Sequence, residues 1–121
     1  MKEINAYRIV EIDGNKIKPL FHGVRGKRVF PYNEWIKADK KLVSDGSHKT
    51  KKNYLSGFHF LLSKEETERF LGTRFKNKEK RIVVPCRVRK NIRKKYSGTC
   101  YLADEIYFDD QDVLRELRGY L

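Results

Sequence analysis

Five arginines and six lysines fall within residues 74–95 of this 121-residue chain, opposed only by Glu79. The stretch carries +10 of the chain's formal +12. Charge of that density attracts polyanions through a field reaching roughly 8–10 Å at physiological salt. Arginine adds a planar fork that grips phosphate bidentately, so residue type as well as charge suits a phosphate backbone. Arg87 and Arg89, two apart in an extended segment, project from one face. Arg93, Lys94 and Lys95 follow in a basic loop with Tyr96, a ring placed to stack on an unpaired base. The pattern points to nucleic acid, with RNA or a ribonucleoprotein as the expected partner. The residues expected to bind are Arg74, Lys76, Arg81, Arg87, Arg89, Lys90, Arg93, Lys94, Lys95 and Tyr96. Neither a GXXG loop nor an aromatic RNP motif accompanies them.

The charge is polarised. Residues 103–121 hold six acids (Asp104, Glu105, Asp109, Asp110, Asp112 and Glu116) against Arg115 and Arg118, a net of −4. A second basic patch gathers Lys37, Lys40, Lys41, Lys49, Lys51 and Lys52, opposed by Asp39 and Asp45, with His48 and Lys49 at an expected hairpin tip. Tyr101 is a further aromatic within reach of the main block.

Other chemistries fit the residues less well. Two cysteines, Cys86 and Cys100, make no disulfide framework and read as small buried thiols. The three histidines (His22, His48 and His59) have no metal-ligand spacing, so no metal is expected. Apolar runs of only a few residues exclude a membrane-spanning helix, and the first residues lack the apolar stretch of a signal peptide. The expected location is therefore cytoplasmic. Apolar residues at 39% and aromatics at 12% exceed what a disordered basic tail carries.

The elements that must position the basic block can be read from periodicity. Residues 4–12 alternate and lead into a hairpin turn at Asp13, Gly14 and Asn15; a second strand runs through Ile17, Leu20 and Phe21. Residues 28–30 suggest a third short strand. Residues 32–39 fit either a short helix or a loop anchored by Trp35 and Ile36, and residues 40–44 fit a strand. Residues 54–62 read as one buried strand. Ser63, with Glu66 three residues on, forms a capping box that opens a helix with Phe70, Leu71 and Phe75 on its apolar stripe.

Residues 81–89 are the next strand, with Ile82, Val84, Cys86 and Val88 on one face. Pro85 there predicts an edge position or a bulge. Residues 91–98 form a loop and residues 99–108 a last strand. Asp109 or Asp110 then caps a helix bearing Val113, Leu114, Leu117 and Tyr120 at helical spacing. The architecture expected is a single α+β domain, residues 1–121, with a twisted, mostly antiparallel sheet and two short helices packed on it. The closing helix would serve a dimer as readily as its own core, so no oligomeric state follows.

Two resemblances add to this reading. Phe21-His22-Gly23, the run from Tyr54 through Gly57-Phe58-His59, and Ala103-Asp104-Glu105 resemble, in order, the motif regions of the ADP-ribosyltransferase superfamily. That resemblance implies NAD as cofactor, His22 on the ribose, Tyr54 against the nicotinamide ring and Glu105 as catalytic acid. Without it, no cofactor and no catalysis are expected. The same segments, from about Tyr7 to Phe108, also resemble small uncharacterised phage and prophage accessory proteins, anti-CRISPR proteins among them. That second resemblance implies an inhibitor that captures guide RNA or the RNA-lined groove of an RNA-guided defence nuclease.

Overall fold

In chain order the elements are β1 (Glu3–Asp13), β2 (Lys16–Lys18), β3 (Trp35–Lys37), β4 (Leu42–Ser44), β5 (Asn53–Leu55), β6 (Phe58–Phe60) and α1 (Lys64–Arg74). They continue with β7 (Arg81–Arg89), β8 (Arg93–Lys94), β9 (Tyr101–Ala103), β10 (Glu105–Tyr107) and α2 (Asp110–Tyr120). The computed structural model describes residues 2–19, 29–38, 42–44, 53–55, 57–74, 80–94 and 100–120; for 42–44, 53–55, 74 and 120 the description stops at the backbone.

Alternation along β1 sets the frame. Asp13 pairs with Lys16 across a two-residue loop in which Gly14 takes φ of 64° and Asn15 does not take a positive φ. Glycine tolerates that angle, and its place first in the loop is the type II′ pattern that matches strand twist. The other edge of β1 pairs along its length with β7, from Glu3 opposite Arg89 to Glu11 opposite Arg81. The five-stranded sheet runs β2-β1-β7-β10-β3, and each of its pairs is antiparallel.

β7 is thus a central strand in unbroken register with β1, and neither the edge nor the bulge that Pro85 predicts, for a local reason. Opposite Pro85 lies Tyr7, whose N–H and C=O both exchange hydrogen bonds with Leu61 at 2.9 Å on the far side of β1. The Tyr7–Pro85 pair is therefore a non-hydrogen-bonded one, and the proline nitrogen faces away from β1. On that side β10 has already ended at Tyr107, opposite Arg87. Pro85 withholds a donor where no strand asks for one.

Several expected elements change shape. Residues 32–39, read as helix or loop, contain the edge strand β3, because Trp35, Ile36 and Lys37 find partners in Tyr107, Ile106 and Glu105. Val29 and Phe30 are not in a strand; the Phe30 N–H instead donates to the Ile17 carbonyl at 2.8 Å. The strand expected over residues 54–62 is divided: β5 pairs with β4, whereas β6 pairs with β9. The basic loop over residues 91–98 contains β8, which pairs with β9. The strand expected over residues 99–108 bends at Asp104 into β9 and β10, which belong to different sheets.

That bend closes a ring of neighbours. β9 lies beside β6, and Leu61 just after β6 bridges to Tyr7 of β1. β1 lies beside β7, β7 beside β10, and β10 continues β9. Gly57 permits the closure: a Cβ there would come within 2.9 Å of the Ala103 carbonyl oxygen and 2.9 Å of Arg93 Nη2. Phe60, Leu102, Ile106, Phe108, Val10, Val84 and Val88 are buried within this arrangement, and both cysteines are buried too.

The two helices pack on β7, α1 also reaching β1. Ser63 Oγ accepts the Glu66 N–H at 3.1 Å, as the capping box requires. Asp109 is the cap of α2, its Oδ1 accepting the Asp112 N–H at 3.1 Å. Val113 and Leu117 are the buried stripe of that helix. The result is one small α+β domain.

Candidate nucleic-acid interface

Register places the described part of the basic block. Tyr107 pairs with Arg87 on one side and Trp35 on the other; two residues along, Glu105 pairs with Arg89 and Lys37. Side chains two apart share a face, so Arg87, Tyr107 and Trp35 form one row and Arg89, Glu105 and Lys37 the next. The guanidinium of Arg87 stands 4.3 Å from the Tyr107 ring centroid and that of Arg89 stands 3.9 Å from the Trp35 ring. Trp35 and Tyr107 are themselves 5.4 Å apart. Flat cations on flat rings gain from the ring quadrupole and keep their in-plane donors.

Arg89 commits one of those donors, its Nε, to a buried carboxylate. Arg89 Nε donates to Glu105 Oε1 at 2.6 Å, and Lys90 Nζ takes Glu105 Oε2 at 2.8 Å. Glu105 is 2% exposed. The hydrogen bond from Lys90 holds its carboxyl below the usual carboxylate range, assisted by that from Arg89 and opposed by desolvation. One residue earlier, Asp104 Oδ1 accepts Arg93 Nη1 at 2.9 Å, and the same nitrogen donates to the Asn91 carbonyl at 2.8 Å.

Backbone bonds lock this corner: the Asp104 N–H to the Lys90 carbonyl at 3.0 Å and the Ala38 N–H to the Asp104 carbonyl at 2.8 Å. Lys90 and Asn91 both take left-handed φ, 66° and 51°. Such angles cost L-residues about 1 kcal/mol or more each, and the ion pairs hold the turn against that cost.

Arg87 is different. Its Nη1 meets Glu3 at 3.2 Å with both side chains about 40% exposed (40% and 41%), a surface pair of small net worth. Lys94 and Lys37 are exposed. Arg81 lies at the far end of β7, opposite Glu11. Beside the Arg87 row opens a cleft of about 490 Å³, with Tyr7, Lys64, Arg87, Tyr107, Asp112 and Glu116 in its lining.

The structure therefore brings Arg87, Arg89, Lys90 and Arg93 to one corner of the sheet, with Lys94 following on β8. It gives three of them, Arg89, Lys90 and Arg93, carboxylate partners from the acidic segment. Lys76, Lys95 and Tyr96, the side chain of Arg74, and all of the second basic patch except Lys37 lie outside the described residues. Tyr101 turns inward and stacks on Phe60 at 5.7 Å. The aromatics that join the arginines are Trp35 and Tyr107, which sequence reasoning missed. They lie 72 residues apart, and only the pairing of β3 with β10 unites them.

Of the three residues in the transferase resemblance, His22 and the Tyr54 side chain also lie outside the described residues, and Glu105 has both carboxylate oxygens on cations. Among the described residues no group of three or more His, Cys, Asp or Glu side chains is placed to hold a metal, and no helix is long and apolar enough to cross a membrane. No family model, curated protein or solved structure matches the chain.

Proposed function

We propose that the protein binds nucleic acid, RNA or a ribonucleoprotein in particular, through the outer face of β7, β10 and β3. The observation that carries this reading is the Arg87–Tyr107–Trp35 row, with exposed Lys37 in the next row and exposed Lys94 on β8, on a chain of net charge +12. Arginine and aromatic side chains on a sheet face suit single-stranded nucleic acid, in which phosphates take the cations and unstacked bases take the rings.

The burial pattern supports two roles for the cations. Arg87 can exchange an exposed Glu3 for a phosphate at little cost, and Lys37 and Lys94 stand in water already. Arg89, Lys90 and Arg93 hold the corner in place and contribute to the field more than to contacts.

The test is fluorescence anisotropy against single-stranded RNA, structured RNA and duplex DNA from 50 to 300 mM salt. Replacing Lys37, Arg87 and Lys94 together with Ala removes three phosphate contacts, so the log–log salt slope for a single strand should flatten by about 2. Trp35→Ala should weaken binding by about 1–3 kcal/mol with the slope unchanged. An unaltered slope and affinity in the triple variant sinks the interface. Inhibition of an RNA-guided nuclease is a narrower reading supported by the sequence resemblance alone; its test is loss of target cleavage when the protein is added to an assembled effector. The transferase reading has less support, because Glu105 is engaged as a counter-ion.

A further inference from the structure

Arg8 lies on the inward row of β1, between Ala6 and Val10, which are 1% and 0% exposed, and opposite the fully buried Val84. A cation in that row calls for a counter-ion, and the described residues supply none. Its Nη1 donates to the His59 carbonyl at 3.1 Å. Its guanidinium lies 5.3 Å from the Phe30 ring centroid and 5.8 Å from that of Phe58. The Nε is buried and has no hydrogen-bond partner.

Nη1 is the nitrogen on the far side of the fork from Nε, so its bond to His59 leaves the Nε/Nη2 edge whole. That edge is one of the two that receive a carboxylate or phosphate through parallel N–H bonds. Taking a guanidinium out of water with a donor unmet is costly unless an anion completes it. Desolvation lowers its pKa to about 10, which still leaves it charged at neutral pH. The neighbouring Cys86 is raised to about 12 by burial and so stays a neutral thiol there, unable to serve as counter-ion. The residue as a whole keeps partial exposure, so solvent reaches part of it.

We infer that Arg8 is the anchor of an internal anion-binding site, which receives an oxyanion, carboxylate or phosphate, on its Nε/Nη2 edge, beside the contacting rings of Phe30 and Phe58. Those rings favour an oxyanion borne on an apolar or aromatic body. The site is independent of the outer face of β7, β10 and β3.

The experiment follows the Arg8 Nε–H signal by ¹H–¹⁵N NMR while the whole protein is titrated with sodium benzoate, inorganic phosphate or sodium chloride. The expected result is a saturable shift with benzoate, phosphate or both, with Kd of about 1 mM or tighter, and none with chloride at matched ionic strength. Benzoate alone marks a carboxylate ligand and phosphate alone a phosphorylated one. Arg8→Lys keeps the charge but lacks the two-donor edge and should weaken binding at least about tenfold. No saturable shift of the wild-type signal with either oxyanion overturns the site, whether or not the variant folds. Equal affinity in a folded Arg8→Met variant overturns it as well.

Discussion

The corner at Lys90 and the interior at Arg8 use the same chemistry in opposite ways. At the corner, three cations from the densest basic stretch of the chain meet two carboxylates, each of the three pairs within 3 Å, and together they hold a left-handed turn. In the interior an arginine in an apolar row of β1 meets, among the described residues, one carbonyl and two rings, and its Nε is orphaned. Charge density along a sequence is therefore a poor guide to which charges remain available. Pairing of β7 with β10 brings counter-ions to the corner, whereas no described residue brings one to Arg8.

The most direct way to break this contrast is at Glu105. Glu105→Gln leaves Arg89 and Lys90 facing a neutral amide and should destabilise the fold by about 2 kcal/mol, below the full cost of a broken buried pair because both cations are partly exposed. Urea unfolding at pH 7 reads this directly. The same group sets an acid dependence. Its folded pKa is lowered, so its contribution is complete above the ordinary carboxylate range and is lost as pH falls through the lowered value. The gap between wild type and Glu105→Gln should shrink correspondingly in acid.

Arg8→Met should move stability the other way, raising it by about 1 kcal/mol, since an apolar side chain of similar length replaces a largely desolvated charge with no counter-ion among the described residues. The pH slope keeps the same sign but lies in the alkaline range. The folded pKa of about 10 lies below the ordinary 12.5, so the unfolded chain binds the proton more tightly and the wild type recovers stability as pH rises between those values. The advantage of Arg8→Met, measured as a difference in thermal midpoint, should narrow above pH 10. The smallest effect is expected from Lys90→Gly. Glycine relieves a φ of 66° but deletes the Glu105 partner, and the two should cancel to within about 0.5 kcal/mol. A large loss there would show that the lysine's pairing outweighs the turn.

Local signals made much of the fold legible. The alternation of β1, the glycine of its turn, the apolar row of β7 and the caps at Ser63 and Asp109 each depend on residues within a few positions of one another. Elements defined by distant partners were not legible. β3 is three residues long and exists because Ile106 lies opposite Ile36. The division between β5 and β6 reflects the approach of Gly57 to the Ala103 carbonyl, and an unbroken apolar run conceals it. The site followed the same rule: the arginines were evident, but Trp35 and Tyr107 were not. Arg8 was not singled out at all, because its carbonyl partner lies 51 residues away.

The strand bent at Asp104 also carries a consequence for how the protein is made. Residues 101–107 pair with β6, β8, β7 and β3, yet they follow all of those strands in the chain. Until the ribosome releases them, β6 lacks its partner and the Arg87–Arg89 edge of β7 is uncovered. Non-local pairings of this kind form slowly and leave strand edges open to other chains in the meantime. Closure of the ring is thus a late step in folding, and Arg87 and Arg89 on the waiting edge of β7 guard the half-made sheet against joining a neighbour.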